Sequence, residues 1–327
     1  MRRRTASLAL VAMACGAVCA AQAGGPLVLV KRIPLAGVQG RIDHMSVDLA
    51  GKRLFVSALG NGTVEELDID SGRRLGEIKG LKEPQGVLYD AAAERVYVAC
   101  GGDGTVRSYD GKTLKALATA RLGDDADNVR LDAQRGLVLV GYGSGGIAGF
   151  DAELHERFRV AMPAHPESFQ VDEKARRMFV NVPEAGRIEV FDLRDGRKTS
   201  TWPDGEATEN FPMALDERDG LVLVGFRRPA MLEALDAKTG KIVDSTPIVH
   251  DTDDMFFDEA RGRVYVIGGG GTVDVFTLKA GKLKKSQAVE TRGGARTGLL
   301  VRAWSRLFVA VPRRGRAEAE ILEYRVE

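Results

Sequence analysis

The chain has 327 residues, of which 44% are hydrophobic and 39 are glycine, a composition typical of a soluble, turn-rich β protein. Its 47 basic and 46 acidic side chains give a formal net charge of +1 at pH 7, which argues against a general phosphate-binding role. Aromatic residues make up 6% of the chain, too few to predict a stacking surface for single-stranded nucleic acid.

The first 23 residues have the pattern of a secretory signal peptide. A basic segment, Arg2 to Arg4, precedes an apolar, alanine-rich segment from Leu8 to Ala21. Ala21-Gln22-Ala23 then supplies small residues at both ends of a cleavage motif before Gly24. We therefore expect cleavage after Ala23 and export, either to the periplasm or out of the cell.

Signal cleavage would leave residues 24–327 as a single domain. A lipoprotein signal with Cys15 or Cys19 as the acceptor is a weaker alternative, because neither cysteine follows a clean lipobox. The mature chain has no other apolar run long enough to span a bilayer, so we expect no membrane insertion. Loss of Arg2 to Arg4 reduces the 47 basic residues to 44 against 46 acidic ones, a net charge of −2. Nucleic acid is therefore not an expected partner.

One pattern of two short β-prone runs around a turn occurs seven times, 41 to 43 residues apart. The first copy is RLFVSALGNGTVEELDIDSG, in which Asn61-Gly62 predicts a tight turn because both residues tolerate positive φ. The copies begin at Arg53, Arg95, Gly136, Arg177, Gly220, Arg263 and Arg306. A repeat of this length built from short strands predicts an all-β, seven-bladed β-propeller with one four-stranded antiparallel blade per copy.

The two ends of the chain are expected to complete one blade together. Residues 27–35 form a strand with no partner of their own, whereas the seventh copy stops after its third strand, near Arg325. The N-terminal strand would then be the outermost strand of blade 7, joined to residues 297–326. This arrangement closes the ring, pairs edges that would otherwise invite aggregation, and makes the termini neighbours.

A further short strand, the innermost of each blade, precedes each copy. Two of its positions are apolar in every blade, and we expect both to pack between blades. The first is Met45 in blade 1 and Leu299 in blade 7, and the second is Val47 in blade 1 and Val301 in blade 7. An Asp follows these positions in six blades and should cap the next turn, whereas blade 7 has Arg302 there.

The loops divide into two unlike sets. With the strands of a blade lettered A to D from the axis outward, the A–B and C–D turns are simple, such as DGK and TGK. The D–A and B–C loops, which lie together at the other face, carry His, Glu, Gln and Arg, which a plain chain reversal does not need. The predicted ligand-binding residues at this channel mouth are Asp43, His44, Gln85, Asp127, Asn128, His165, Glu167, Asn210, His250, Asp253, Asp254 and Arg296, with Arg227 and Tyr142 from the B–C loops.

Three interpretations of this face remain open: a solvated rim, a site for a small molecule or peptide, and a metal site. Carboxylates gathered from several blades repel one another and need a cation or a polar ligand. For the metal interpretation the candidate ligands are His44, His165, His250, Asp127 and Asp253. Histidine with carboxylates suits a transition metal, whereas carboxylates with Asn suit calcium. Convergence of three such side chains on one point would favour a metal.

The motifs RVYVACGGDGTVRSYD and RLFVSALGNGTVEELDID resemble those of the YVTN-repeat β-propeller family, in its YncE-like branch. The resemblance extends from Leu27 to the C-terminus, and loop strings such as GRIDHMSVD and ENFPMALD resemble those of an exported subgroup. It implies an exported propeller that binds ligands or partners. Related propellers include lactonases and a lyase, an analogy at the level of the fold.

The sequence therefore favours an exported, monomeric propeller that binds a small molecule or a partner protein at the channel mouth. The alternative is a metal-dependent hydrolase, such as a lactonase, or a lyase that uses the histidines and carboxylates of the same mouth. The catalytic residues stay unassigned in either case, and a divalent metal is the cofactor only under the metal interpretation.

Overall fold

The computed structural model describes residues 25–327, so the predicted signal peptide lies outside the described residues. It confirms the all-β fold, with seven sheets of four antiparallel strands each. Blades 1 to 3 consist of β2 (Met45–Asp48), β3 (Arg53–Ala58), β4 (Thr63–Asp68) and β5 (Arg74–Ile78); β6 (Pro84–Asp90), β7 (Arg95–Cys100), β8 (Thr105–Asp110) and β9 (Ala116–Arg121); and β10 (Val129–Asp132), β11 (Leu137–Tyr142), β12 (Gly146–Phe150) and β13 (Glu156–Ala161).

The remaining blades repeat this order. Blades 4 to 6 consist of β14 (Phe169–Asp172), β15 (Arg177–Val182), β16 (Arg187–Asp192) and β17 (Lys198–Pro203); β18 (Thr208–Asp216), β19 (Leu221–Arg228), β20 (Ala230–Asp236) and β21 (Ile242–Pro247); and β22 (Thr252–Asp258), β23 (Arg263–Gly268), β24 (Thr272–Lys279) and β25 (Lys282–Glu290). Blade 7 consists of β26 (Gly298–Val301), β27 (Arg306–Val311), β28 (Glu320–Val326) and β1 (Leu27–Pro34).

The N-terminal strand closes the ring as predicted. β1 pairs antiparallel with β28, with Leu27 opposite Val326 and Ile33 opposite Ile321. The pairing extends beyond the strand, because the Leu35 N–H donates to Ala319 O at 2.8 Å. The first and last segments of the described chain are therefore neighbours within one sheet.

Short 3₁₀ turns shape four of the chain reversals, at Leu59–Asn61, Gly101–Asp103, Pro183–Ala185 and Arg302–Trp304. The turn predicted at Asn61-Gly62 differs in detail, since only Gly62 has a positive φ, of 69°. Asn61 instead ends the 3₁₀ turn. Glycine is favoured at the following position because it adopts the left-handed conformation without steric cost.

The core lies between blades rather than within them. Seven apolar clusters each join two neighbouring blades. The cluster between blades 7 and 1, for example, packs Ile33 and Phe308 against Leu54. This arrangement matches the two apolar positions predicted on the innermost strands, of which Met45 and Phe169 are buried. Each blade is thus stabilised by its neighbours, so the stability of the fold depends on a closed ring.

The aspartates that end the innermost strands cap the following turns, as predicted. Asp48 Oδ1 accepts from Gly51 N at 2.9 Å, and Asp172 Oδ1 accepts from Ala175 N at 2.8 Å. Asp258 differs, because its side chain binds the Arg261 guanidinium at 3.0 Å. In blade 7, Arg302 instead donates to Phe257 O of blade 6.

The innermost strands surround an axial cavity of about 400 Å³. His44 and Asp254 lie at one end, where the chain enters these strands, and Glu217 and Arg302 lie where it leaves them. Among residues 25–327, no helix has the length and apolar character needed to cross a bilayer. The end of the cavity at His44 is the channel mouth considered next.

Candidate functional site at the channel mouth

All seven blades contribute to one small cavity at the channel mouth, with each D–A loop assigned to the blade it enters. The cavity has a volume of about 170 Å³. Its lining residues are Arg41, Gln85, Asp125, Asp127, His165, Glu167, Phe211, Arg227, Asp253 and Arg296. The structure therefore brings seven of the predicted site residues around one space, and adds Arg41, Asp125 and Phe211.

One structural position recurs in every blade, immediately before the residue that aligns with His44. We call it the mouth position. It is occupied by Asp43, Gln85, Asp127, Glu167, Phe211, Asp253 and Thr297. Four of these seven residues are carboxylates, which the ring symmetry places around the channel axis. This alignment of the seven innermost strands is the sequence signal that would have separated the inward-facing side chains from the rest of the loops.

Main-chain hydrogen bonds to the second strand fix the mouth position. The Asp43 N–H donates to Ser57 O at 2.7 Å, and the Asp127 N–H donates to Gly141 O at 3.0 Å. Neighbouring blades also approach closely here, since a Cβ on Gly86 would lie 2.3 Å from Asp127 O. The mouth carboxylates are therefore held by rigid strand starts rather than by free loops.

Arginines surround the carboxylate of blade 6. Asp253 accepts from Arg227 Nη2 at 2.8 Å, and its other oxygen lies 3.2 Å from Arg296 Nε. Arg41 Nη2 lies 3.7 Å from Asp253 and 2.7 Å from Asp43. The Arg227 guanidinium also stacks on the Phe211 ring, 3.4 Å from its centroid. Asp253 is thus neutralised by arginines and is a poor metal ligand, contrary to the prediction that included it.

Histidines border the other side of the mouth. His44 Nδ1 lies 3.3 Å from Asp254 Oδ2, and His44 Nε2 lies 3.5 Å from Asp43 Oδ1. Burial alone would lower the pKa of His44, but the Asp254 and Asp43 carboxylates outweigh it and raise that pKa to about 10. His44 is therefore a cation at neutral pH, and it faces Asp127 Oδ1 at 3.8 Å.

Asp127 lies between two histidines, because its Oδ2 is 3.8 Å from His165 Nε2. The pKa of His165 is raised to about 9, since its carboxylate neighbours Asp127 and Glu167 outweigh the lowering effect of burial. Burial, followed by the charges of Asp127 and Asp253, raises the pKa of Glu167 to about 8. The pKa values of His165 and Glu167 are thus set by burial and by charged side chains that include those of other blades.

Asp127, His165 and Glu167 form a group that could hold a metal ion, with one ligand atom from each lying within 4.8 Å of the others. Asp127 and His165 are candidate metal ligands from the sequence, and Glu167 is one of the predicted site residues that a metal-dependent enzyme would use as a ligand or general base. Asp127 is 6% exposed, and its Oδ1 has no hydrogen-bond partner among the residues that the structure describes. Such an atom needs a ligand, an ion or water.

Seven of the fourteen predicted residues do not line this cavity. Asp43, His44 and Asp254 still contact one another beside it, and His44 and Asp254 line the axial cavity. The other four have separate roles. His250 is exposed beside Gly270, so it does not join the other histidines. The Tyr142 hydroxyl accepts from Arg159 Nη1 at 2.6 Å, and Asn210 Nδ2 donates to Arg187 O at 3.0 Å. Asn128 is buried behind the mouth position, with Nδ2 3.4 Å from Asp127 Oδ2. Tyr142 and Asn210 therefore serve contacts within or between blades.

No protein-family model matches the chain, and no curated protein is similar to it. The function is therefore argued from the geometry of the channel mouth.

Proposed function

We propose that this protein is an exported β-propeller that binds a small polar ligand in the cavity at its channel mouth. The observation that carries the proposal is that all seven blades place side chains around one cavity of about 170 Å³. Asp127 Oδ1 at this site is buried and accepts no hydrogen bond from residues 25–327. Buried polar atoms are almost always paired, so this acceptor supports binding of a polar ligand.

The lining defines the chemistry of the ligand. Arg41, Arg227 and Arg296 provide cationic donors on one side, whereas Asp127 and Glu167 provide anionic acceptors on the other. A molecule of a few carbon atoms that carries both an anionic group and hydroxyl or amino groups would match both sides. Small hydroxy acids, amino acids and sugar acids are therefore the ligand classes to test.

A partner protein is the less favoured occupant. The side chains of Asp43, Asp127 and Asp253 are no more than 10% exposed, so the cavity is recessed. A protein would have to insert a side chain or a chain end to reach these groups. The small cavity therefore supports a small molecule better than a flat protein surface.

A metal-dependent hydrolase, such as a lactonase, or a lyase is the second candidate. It is favoured by the convergence of Asp127, His165 and Glu167. In such an enzyme a bound divalent ion would supply a nucleophilic water, and the mouth arginines would hold an anionic substrate group. The metal site on which this candidate depends is argued separately below.

Further proposals concern family and location. The repeat motifs support membership of the YVTN-repeat family in its YncE-like branch, and the N-terminal pattern supports export and cleavage after Ala23 to a mature chain of residues 24–327. A ring that closes within one chain supports a monomer. N-terminal sequencing and light scattering of the natively exported protein test these points. An uncleaved N-terminus or a stable dimer would contradict them.

Thermal-shift measurements with the three ligand classes test the proposed binding. A true ligand should raise the melting temperature of the wild type, and this shift should be lost in Arg227→Gln and reduced in Gln85→Ala. Arg194→Gln is the matched control, because Arg194 pairs with Asp192 in a C–D turn on the opposite face. Equal shifts in wild type and Arg227→Gln would contradict binding at the mouth.

A further inference from the structure

We infer that Asp127, His165 and Glu167 bind one divalent transition-metal ion, with Mn²⁺ and Zn²⁺ as the best-matched ions. Their three ligand atoms lie within 4.8 Å of one another. Ligand atoms about 2.0–2.2 Å from a common ion lie about 3–4 Å apart, so small side-chain rotations would complete the site. One imidazole and two carboxylates suit these ions better than calcium, which takes oxygen ligands.

An unpartnered buried atom gives this group independent support. Asp127 is 6% exposed, and its buried Oδ1 accepts no hydrogen bond within the described part of the chain, residues 25–327. The nearest cation is His44, whose Nε2 is 3.8 Å away, beyond hydrogen-bond distance. An unsatisfied buried acceptor costs on the order of 1–3 kcal/mol, and a coordinated ion would remove that cost.

A carboxylate lies behind the His165 ring. Asp125 Oδ2 is 3.7 Å from His165 Nδ1, beyond hydrogen-bond distance, and Gln85 Nε2 donates to Asp125 Oδ1 at 2.7 Å. A carboxylate that hydrogen-bonds a ligating imidazole orients the ring and strengthens it as a ligand. Gln85 thus holds Asp125 beside the ring, and a small rotation of His165 on binding the ion would bring the two within hydrogen-bond distance.

Charge distribution separates these ligands from the other mouth carboxylates. Arg227 and Arg296 neutralise Asp253, and Arg41 lies 2.7 Å from Asp43. No arginine or lysine of the described residues lies within 4.0 Å of the Asp127 carboxylate, and its basic neighbours there are His44 and His165. Asp127 is therefore the mouth carboxylate most available to an added cation.

Three protein ligands leave coordination positions open toward the cavity. Arg41, Arg227 and Arg296 line the same cavity, so an anionic group bound to the ion would also meet guanidinium donors. This part of the inference rests on the proposed function. It narrows the ligand to small carboxylates with an adjacent hydroxyl or carbonyl oxygen that can chelate the ion.

Calorimetric titration of metal-free mature protein with Mn²⁺ and with Zn²⁺ tests the site. The wild type should bind one ion, and Asp127→Asn, Glu167→Gln and His165→Ala should each weaken binding by about 100-fold or more. Electron paramagnetic resonance of the Mn²⁺ form should show one coordinated imidazole nitrogen, absent in His165→Ala. Circular dichroism of each variant reports whether the fold persists.

Two matched controls keep the result specific. His250→Ala removes a D–A loop histidine that is exposed and outside the group, and Asp110→Asn changes an aspartate whose partners lie within one C–D turn of the opposite face. Both should bind the ion within about threefold of the wild type. Absence of 1:1 binding by the wild type, or equal affinity in the folded Glu167→Gln variant, would overturn the metal site.

The same proteins separate this inference from the proposed function. The hydroxy acids, amino acids and sugar acids are screened with added Mn²⁺ and again with chelator. Stabilisation that persists in chelator, with no metal binding, would overturn the metal site and leave the ligand site standing. Metal binding without stabilisation by any compound would support the ion and contradict the proposed ligand.

Discussion

The two faces of the propeller hold their carboxylates in different ways. On the face of the A–B and C–D turns, near neighbours in sequence satisfy aspartates such as Asp110 and Asp236. Asp110 Oδ1 accepts from Lys112 N at 3.1 Å and from Thr113 N and Oγ1, both at 2.7 Å. Asp236 repeats this pattern with Thr239, and these bonds lower the pKa of both aspartates.

At the channel mouth the partners come from other blades. Asp253 meets Arg41 of blade 1 and Arg296 of blade 7, and Asp127 faces His44 of blade 1. Burial, as the largest cause, raises the pKa of Asp43 to about 6. Local carboxylates thus stabilise single turns, whereas mouth carboxylates depend on the closed ring and stay partly unsatisfied. That difference supports the mouth as the proposed ligand-binding face.

Removal of the closing strand should have the largest effect, because it separates the blades whose side chains meet at the mouth. A variant without residues 27–34 loses the buried Leu27 and Ile33 and the whole pairing with β28. At about 2 kcal/mol per buried side chain, plus the lost strand pairing, we expect a loss of more than about 5 kcal/mol. Thermal melting checks this, and an unchanged transition would contradict closure by β1.

Removal of the Asp253 carboxylate, which the arginines bind, should cause the second-largest loss of stability. Asp253→Ala leaves Arg227 and Arg296 without their shared partner at 18% and 24% side-chain exposure. Broken buried ion pairs cost about 3–5 kcal/mol, and partial exposure reduces the expected loss to about 2 kcal/mol. Urea unfolding measures the change. A loss below about 0.5 kcal/mol would show that the arginines do not need Asp253.

The pH dependence of stability should reveal an unpaired carboxylate on the outer part of the mouth face. Both oxygens of Asp204 are buried without partners, and burial, followed by the charge of Glu233, raises its pKa to about 7. The folded state therefore binds this proton more tightly than the unfolded state, so stability falls as pH rises from about 4 to about 7. Asp204→Asn should melt higher than the wild type at pH 8 and show a smaller decrease between pH 5 and 8. Identical pH profiles would contradict the raised pKa.

The smallest effect is expected at a single turn of the opposite face. Asp110→Ala removes an acceptor of three local hydrogen bonds at an exposed site and should lower the melting temperature only slightly. Asp110→Asn keeps a side-chain oxygen and is the matched control, expected to melt with the wild type. If both variants lost as much stability as Asp253→Ala, this turn would not be independent of the rest of the ring.

The fold was predictable because its signals are local and repeated. Each copy carries its own strands and turn, and the unpaired segment 27–35 directly indicates the closing strand. The face of the ring that carries the candidate site was predictable from the sequence, but the contacts among its side chains were not. Side-chain directions within single loops decide whether a residue faces the channel. Arg159 donates to the Tyr142 hydroxyl, and His250 is exposed, and the sequence pattern predicts neither.

The arginine contacts of Asp253 show most clearly what the sequence alone does not predict. Arg41, Arg227 and Arg296 lie in blades far apart in sequence and meet only when the ring closes. The sequence does predict that Glu167 lies near Asp127, because both occupy the mouth position of adjacent blades. Sequence alignment of the innermost strands thus predicts which carboxylates point inward, but not which of them an arginine neutralises.

Paired stability and metal-binding measurements on Glu167→Ala and Asp110→Ala test the central claim most directly. We predict that Glu167→Ala abolishes binding of Mn²⁺. This variant should melt within a few degrees of the wild type, because the lost carboxylate is buried among like charges. Asp110→Ala should melt lower and bind the ion unchanged. If Glu167→Ala lost stability but kept the ion, or if Asp110→Ala lost the ion, the division between a structural and a functional face would be contradicted.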